Sequence, residues 1–172
     1  LLWGARLAAQ DPGLPEVKAP SSPSSSSAAF SLSGQVTLPS APEGMVLSAG
    51  VGKAFVVLRS ADAIAVVDLA TRTVVGTLPC GKSPRGVAVN DFTNKLYVTN
   101  FDDRTVTVLN AVTRTVLKTI PVGRGPRPVL VDSGSGRIYV ANTAEDSVAV
   151  IDGDTDTVIK VVAVGRGPAG LF

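Results

Sequence analysis

The sequence predicts an all-β protein assembled from a repeated unit. Residues 45–86, 87–128 and 129–170 align end to end without a gap at a period of 42 residues, and self-similarity at such a period is typical of repeat architectures. Each unit contains four apolar runs rich in β-branched residues, which favour strands. No segment of any length has the periodicity of an amphipathic helix, so helices are not expected.

Four short strands follow one another in the middle unit. They are predicted at residues 87–89, 95–100, 105–109 and 115–122. The segments between them contain Asp91, Asn94 and Asn110, and such side chains favour tight turns because they bond their own backbone. The turns of the third unit, around Gly134 and Asp152, carry the same signal more strongly. Each unit is therefore expected to form an antiparallel meander.

The predicted fold class is a β-propeller of four-stranded antiparallel blades. Four strands at a period near 40 residues are the signature of a propeller blade, and the strands are apolar on both faces, as expected where a sheet lies between two others. The propeller is incomplete, because the sequence supplies about three blades plus a stray outer strand at residues 35–39. Since four to eight blades close a propeller, two apolar blade faces need covering. The chain is expected to be a piece of a longer propeller, or to be completed by a protein partner or by further copies of this chain.

A resemblance to a known family rests on two motifs that recur together. Tyr97-Val98-Thr99-Asn100 and Tyr139-Val140-Ala141-Asn142 are each followed by Gly-x-x-Pro, at residues 123–126 and 165–168. The region from Gln35 to Phe172 resembles the YVTN family of β-propeller repeats. The resemblance implies a secreted, periplasmic or cell-surface protein that acts as a binding or assembly scaffold. The first unit departs from the motif, since Leu58 stands at the position of the asparagine.

The predicted organisation has three parts. Residues 1–18 form an N-terminal segment, interpreted either as the remnant of a secretion signal or as a docking peptide. Residues 19–33 are rich in Ser and Pro and are interpreted as a flexible linker. Residues 34–172 form the propeller segment, with blades at approximately 45–86, 87–128 and 129–170. No apolar run is long enough for a transmembrane span, while association with a membrane or envelope complex stays open.

Composition excludes several classes of function. The 172 residues include 16 Lys and Arg against 14 Asp and Glu, a net charge of +2, which does not suit a nucleic-acid-binding protein. The chain contains no histidine, which removes Ser-His-Asp and Cys-His nucleophiles and histidine metal sites. No catalytic residue and no cofactor is therefore predicted. The single Cys80 aligns with Val122 and Val164, so it is interpreted as a small core residue.

One turn has the alternating acids of a cation-binding loop. Asp152, Asp154 and Asp156 are a weak candidate metal site, because the downstream glycine and glutamate of a calcium loop are absent. The favoured interpretation is a turn in which the Asp side chains bond their own backbone.

Basic residues and one aromatic residue are the candidates for contact with a partner. They are Phe101, Arg124, Arg127 and Arg166. Lys82 and Arg85 also fall in the Gly-x-x-Pro connections, which a meander places on the same rim as the acidic hairpins. Either this rim is patterned for protein binding, or, as the simpler hypothesis, its charges form interblade ion pairs or are solvated.

The function predicted from the sequence is a non-catalytic one. The chain is expected to be a binding or structural accessory propeller in an extracytoplasmic complex, that is, periplasmic, secreted or at the cell surface. The alternative is a fragment of a propeller enzyme, a lyase or a quinoprotein-like dehydrogenase, whose catalytic residues lie in other blades.

Overall fold

A computed structural model describes residues 35–171. The predicted N-terminal segment, at residues 1–18, and the predicted linker, at 19–33, lie outside the described residues. Within the described part the chain forms twelve strands and one short 3-10 turn, Arg59–Ala61. The strands are β1 (Gly44–Ser48), β2 (Lys53–Leu58), β3 (Ala63–Asp68), β4 (Thr73–Pro79), β5 (Pro84–Asn90), β6 (Lys95–Asn100), β7 (Thr105–Asn110), β8 (Val116–Pro121), β9 (Pro126–Asp132), β10 (Arg137–Asn142), β11 (Ser147–Asp152) and β12 (Thr157–Ala163).

The strands form three antiparallel sheets in sequence order. The first blade contains β1 to β4, the second β5 to β8 and the third β9 to β12. Every pairing is between consecutive strands, so each blade is a meander. The inner strand β5 contacts both β1 and β9. The prediction of an all-β, unclosed β-propeller with four strands per blade is confirmed.

The inner strand of the middle repeat begins before residue 87, the start that the sequence predicts. In the second blade it starts at Pro84, which pairs with Asn100, and the register shifts before Gly86 pairs with Thr99. The Gly86 N–H donates to the Thr99 hydroxyl instead of a ladder carbonyl, at 2.8 Å. A proline tolerates the first position of a strand because it has no N–H to contribute to the ladder. The proline of Gly-x-x-Pro thus opens the next blade.

The predicted outer strand at residues 35–39 is not a strand. No described strand pairs with it, and each of the three sheets consists of four other strands. Its apolar side chains are nevertheless placed as in an outer strand, because Val36 and Leu38 pack on a cluster in the first blade. That cluster consists of Ala54, Val56, Leu58, Ala65 and Val67.

Two clusters hold neighbouring blades together. Between the first and second blades, Phe55, Val57, Ile64 and Val66 pack against Leu96, Val98 and Leu109. Between the second and third, Tyr97, Val106 and Val108 pack against Ile138, Val140 and Ile151. Half-buried Cys80 packs against the first cluster, and burial raises the pKa of its thiol to about 12. A thiol in such surroundings is unreactive. This agrees with a small core residue, which the alignment of Cys80 with Val122 and Val164 predicts.

Candidate functional site

The connections between blades and the hairpins between second and third strands meet on one rim. We call this the loop rim: connections 80–83, 122–125 and 164–167 together with hairpins 59–62, 101–104 and 143–146. The Phe101 N–H donates to the Ser83 carbonyl at 3.1 Å, and one repeat later the Thr143 N–H donates to the Gly125 carbonyl at 3.0 Å. The connections 80–83 and 122–125 are therefore each bonded to a hairpin of the blade that follows.

The acids of the loop rim hold backbone amides. Asp103 accepts a hydrogen bond from the Lys82 N–H at 2.7 Å, and Glu145 accepts one from the Arg124 N–H at 2.5 Å. Asp62 and Asp146 accept from the last N–H of the connection leaving their own blades. Interblade ion pairs or solvation are the simpler expectation for the rim charges, and among the described residues the loop rim itself contains no ion pair. An ion pair between blades lies next to it, where Arg85 at the start of β5 pairs with Glu43.

The asparagine and glycine of the repeat form one structural unit. Asn100 donates to the Thr105 and Thr107 hydroxyls at 2.9 and 2.8 Å and accepts from the Gly81 N–H at 3.0 Å. A Cβ on Gly81 would lie 2.7 Å from the Asn100 Cγ, so any side chain at this position would have to displace the asparagine. The recurring motif residues are explained by this packing, and a ligand site has to be sought elsewhere.

A column of charged residues lies where the inner strands begin. Glu43, Arg85, Arg127 and Ala169 are separated by one repeat each. Arg85 Nη1 lies 2.5 Å from Glu43 Oε1. The Arg85 and Arg127 guanidinium carbons lie 5.0 and 5.6 Å from the centroid of the Phe101 ring, within the range of cation–π contacts. With Gly86 and Pro128 this column lines an open cavity of about 270 Å³.

Two of the four predicted partner-contact residues are brought together here. Phe101 is half-buried and meets exposed Arg127. Arg124 and Arg166 are exposed on the connections and make no ion pair among the described residues. Sequence reasoning missed Glu43, although counting back 42 residues from Arg85 points to it.

The Asp-rich turn does not gather its carboxylates. Asp152 accepts hydrogen bonds from the Asp154 and Thr155 N–H groups at 3.1 and 3.0 Å. The Thr155 backbone bond, followed by the contact with Arg137, lowers the pKa of Asp152 to about 2. Asp156 turns instead to the second blade. Within residues 35–171 no group of three or more acids or thiols is arranged to hold a metal ion.

Asp156 joins the second and third blades. It accepts hydrogen bonds from Lys95 Nζ at 2.8 Å and from the Tyr97 hydroxyl at 3.3 Å, and Lys95 also donates to the Gly153 carbonyl. Burial, with the charge of Asp156 next, raises the pKa of Tyr97, so the phenol stays a donor. The acid at this position ties blades together.

The third blade exposes residues that are buried in the other two. Leu78 and Ile120 are 4 and 3% exposed, whereas Val162 at the equivalent position is 39% exposed. Val148 and Val150 are half-buried, although their equivalents Ile64, Val66, Val106 and Val108 are fully buried. We call the surface formed by Tyr139, Val148, Val150 and Val162 the open face.

The first blade has a partly covered apolar surface on its other side. Met45 and Leu47 are exposed, while their equivalents Val87 and Val89 pack against a core cluster. Together with Val36 and Leu38 they line a mostly apolar cavity of about 460 Å³. Both ends of the three-blade unit therefore present apolar surface. Among the described residues there is no helix long and apolar enough to cross a membrane.

Comparison with known proteins identifies the fold. No protein-family model and no curated protein matches the sequence, so membership of the YVTN family is not established. Among solved structures, the chain is similar to the hydrazine synthase of Kuenenia stuttgartiensis, with a TM-score of 0.71 and 24% identity over 74% of this chain and 37% of that one.

Two further structures are similar. The dihydro-heme d1 dehydrogenase NirN in complex with DHE has a TM-score of 0.58 and 17% identity, covering 73% of this chain and 26% of that one. Apo AztD from Citrobacter koseri has a TM-score of 0.63 and 16% identity, covering 77% of this chain and 37% of that one. The chain thus spans between about a quarter and two fifths of these structures. At such identities the likeness shows the fold alone: three blades of a β-propeller that is not closed.

Proposed function

We propose that this chain is a non-catalytic binding or structural accessory propeller segment of an extracytoplasmic complex, in which a protein partner or further copies of the chain cover its end blades. The observation that carries the proposal is the open face of the third blade. Val162 is 39% exposed where Leu78 and Ile120 are 4 and 3% exposed. An aliphatic residue at this position is a core residue in the two blades that are followed by another blade.

The energetics favour covering this face. Burying one Val, Leu or Ile side chain contributes roughly 1.5 to 3 kcal/mol, and the open face carries three valines and Tyr139. The hydroxyl of Tyr139 suits a polar partner at the edge of an apolar contact, as the equivalent Tyr97 finds in Asp156. An extracytoplasmic location is supported by the YVTN-like motifs.

The test compares two neighbours on β12 that point to opposite faces. Val162→Asp places a charge on the open face. Val161→Asp, the control, changes a residue that is 59% exposed and whose equivalents Thr77 and Thr119 are exposed as well. Sedimentation velocity of the full chain, alone and with any protein that co-purifies with it, is expected to show assembly lost for Val162→Asp and kept for Val161→Asp. Assembly that survives Val162→Asp would contradict the proposal.

A second candidate is a segment of a larger propeller enzyme. It is favoured by the similarity to hydrazine synthase and NirN, of which the chain spans 37% and 26%. In this case other blades would hold the catalytic and cofactor residues. A visible absorbance spectrum of the completed assembly discriminates the two candidates, since bound redox cofactor would favour the enzyme.

A further inference from the structure

We propose that Arg85 and Arg127, held against the ring of Phe101, form a binding site for an oxyanion group, a carboxylate or a phosphate. The inference rests on the proposed binding function, for which it names a site and a ligand chemistry. The site lies where β5 and β9 begin and is lined by Glu43, Gly86, Pro128 and Ala169.

The charges of this site are unbalanced. Two guanidinium groups contact one ring, and the carboxylate beside them, Glu43, pairs with Arg85. The position one repeat after Arg127 is Ala169, so the column provides no second acid. No described carboxylate lies within ion-pair distance of Arg127. Both arginines line one cavity with a single carboxylate, Glu43, and such an excess of positive charge in a cleft favours an anion.

Arg85 also has a buried donor without an acceptor. Its side chain is 13% exposed, and its Nε has no hydrogen-bond partner among the described residues. Leaving such a donor unpaired costs free energy. Because Nε is buried, a ligand bonds it only after the Arg85 side chain shifts; with Nη1 bonded to Glu43, the edge that the ligand then meets is the one formed by Nε and Nη2. That edge is the bidentate one that planar guanidinium groups offer to carboxylates and phosphates.

The Phe101 ring restrains the positions of the Arg85 and Arg127 guanidinium groups. The ring is half-buried, and a Cβ built on Gly125 would lie 3.0 Å from its Cε2, so the connection between the second and third blades packs against it. A ring held in this way restrains both guanidinium groups. The arrangement limits the conformational entropy that the arginines lose when an anion binds.

The experiment uses the full chain and the side-chain Nε–Hε signals of its arginines in ¹⁵N-resolved NMR spectra. Inorganic phosphate and citrate are titrated separately, against sodium chloride at equal ionic strength. Arg127→Gln is compared with Arg124→Gln, which removes the same charge from an exposed position on the neighbouring connection. We expect saturable shifts of the Arg85 and Arg127 signals, with affinity lowered about tenfold or more by Arg127→Gln and unchanged by Arg124→Gln.

The outcomes separate the possible ligands. Tighter binding of phosphate assigns a phosphate group, and tighter binding of citrate assigns carboxylates such as those of acidic side chains. Phe101→Leu keeps both charges and is expected to weaken binding several-fold, which provides a second variant if Arg127→Gln does not fold. Absence of saturable binding, or an equal loss in Arg124→Gln, would overturn the inference. Because assembly is measured separately through Val162, that failure would leave the proposed function standing.

Discussion

At the scale of single residues, glycines in the connections are held by their neighbours. Gly81 and Gly165 occupy the same position in the first and third connections. A Cβ on Gly81 would lie 2.6 Å from Asp103 Oδ2 and 2.7 Å from Asn100 Cγ, whereas a Cβ on Gly165 would meet nothing within 4 Å. The difference arises because a hairpin of the next blade covers the first connection, and no described hairpin covers the third.

This difference predicts opposite outcomes for the same substitution. Gly81→Ala is expected to lower the free energy of unfolding by about 1 to 3 kcal/mol, because the methyl group displaces Asn100 and Asp103. Gly165→Ala, the matched control, is expected to change it by less than about 0.5 kcal/mol. Chemical denaturation of both variants measures the two values. Equal effects would show that the packing of the connection against the next blade is not what requires glycine.

The residues of the candidate site could be predicted from the sequence only in part. Phe101 stands out because its equivalents are Arg59 and Thr143, while Arg127 shares its residue type with Arg85 and differs from Ala169. Their contact with Arg85 and Glu43 could not be predicted, because it depends on how closely the inner strands approach. Gly86 shows the degree of that approach: a Cβ there would lie 2.1 Å from the Arg127 carbonyl oxygen.

At the scale of elements, one ion pair between blades takes the place of an ion pair within a blade. Lys53 pairs with Asp68, and Arg137 pairs with Asp152, each across two strands of one blade. In the second blade the position of this acid is occupied by Asn110, which lies opposite Lys95 and carries no charge. Lys95 therefore reaches to Asp156 of the third blade at 2.8 Å. An acid missing within one blade is replaced by an acid from the next.

A double-mutant experiment tests this compensation. Asp156→Asn is expected to destabilise the chain by about 2 kcal/mol, because it leaves the ammonium of Lys95 largely buried without its carboxylate. Adding Asn110→Asp supplies an acid opposite Lys95, as in the other two blades, and is expected to restore most of the loss. Thermal or denaturant unfolding of the wild type, both single variants and the double variant completes the cycle. Strict additivity of the two changes would contradict the explanation.

Most elements could be predicted because their signals are local. The predicted strand at residues 95–100 matches β6, and the hairpins begin at Asp68, Asn110 and Asp152, whose side chains accept the N–H groups two and three residues on. The failures are non-local. Residues 35–39 have the composition of a strand, yet strand formation requires a pairing partner. The hydrogen-bond partners of the loop-rim acids could not be predicted either, because they depend on how each connection bends back onto the hairpin of the next blade.

At the scale of the whole molecule, the exposures of equivalent residues describe an unclosed unit. Positions that another blade covers are buried in the first and second blades and half-exposed in the third. On the other side, Val36 and Leu38 cover part of the first blade. The repeat alone predicted that a three-blade unit leaves two apolar faces. The partial cover by Val36 and Leu38 is a tertiary contact that no repeat pattern specifies.

The most direct test of the central claim is the absolute mass of the purified full chain, measured by light scattering coupled to size exclusion over a range of concentrations. We expect no stable monomer at the chain mass of 17.5 kDa: the open face should give a discrete multiple of that mass, or loss of the isolated chain from solution until its partner is supplied. A monodisperse, cooperatively folded monomer at every concentration would contradict the claim that the end blades require covering by protein.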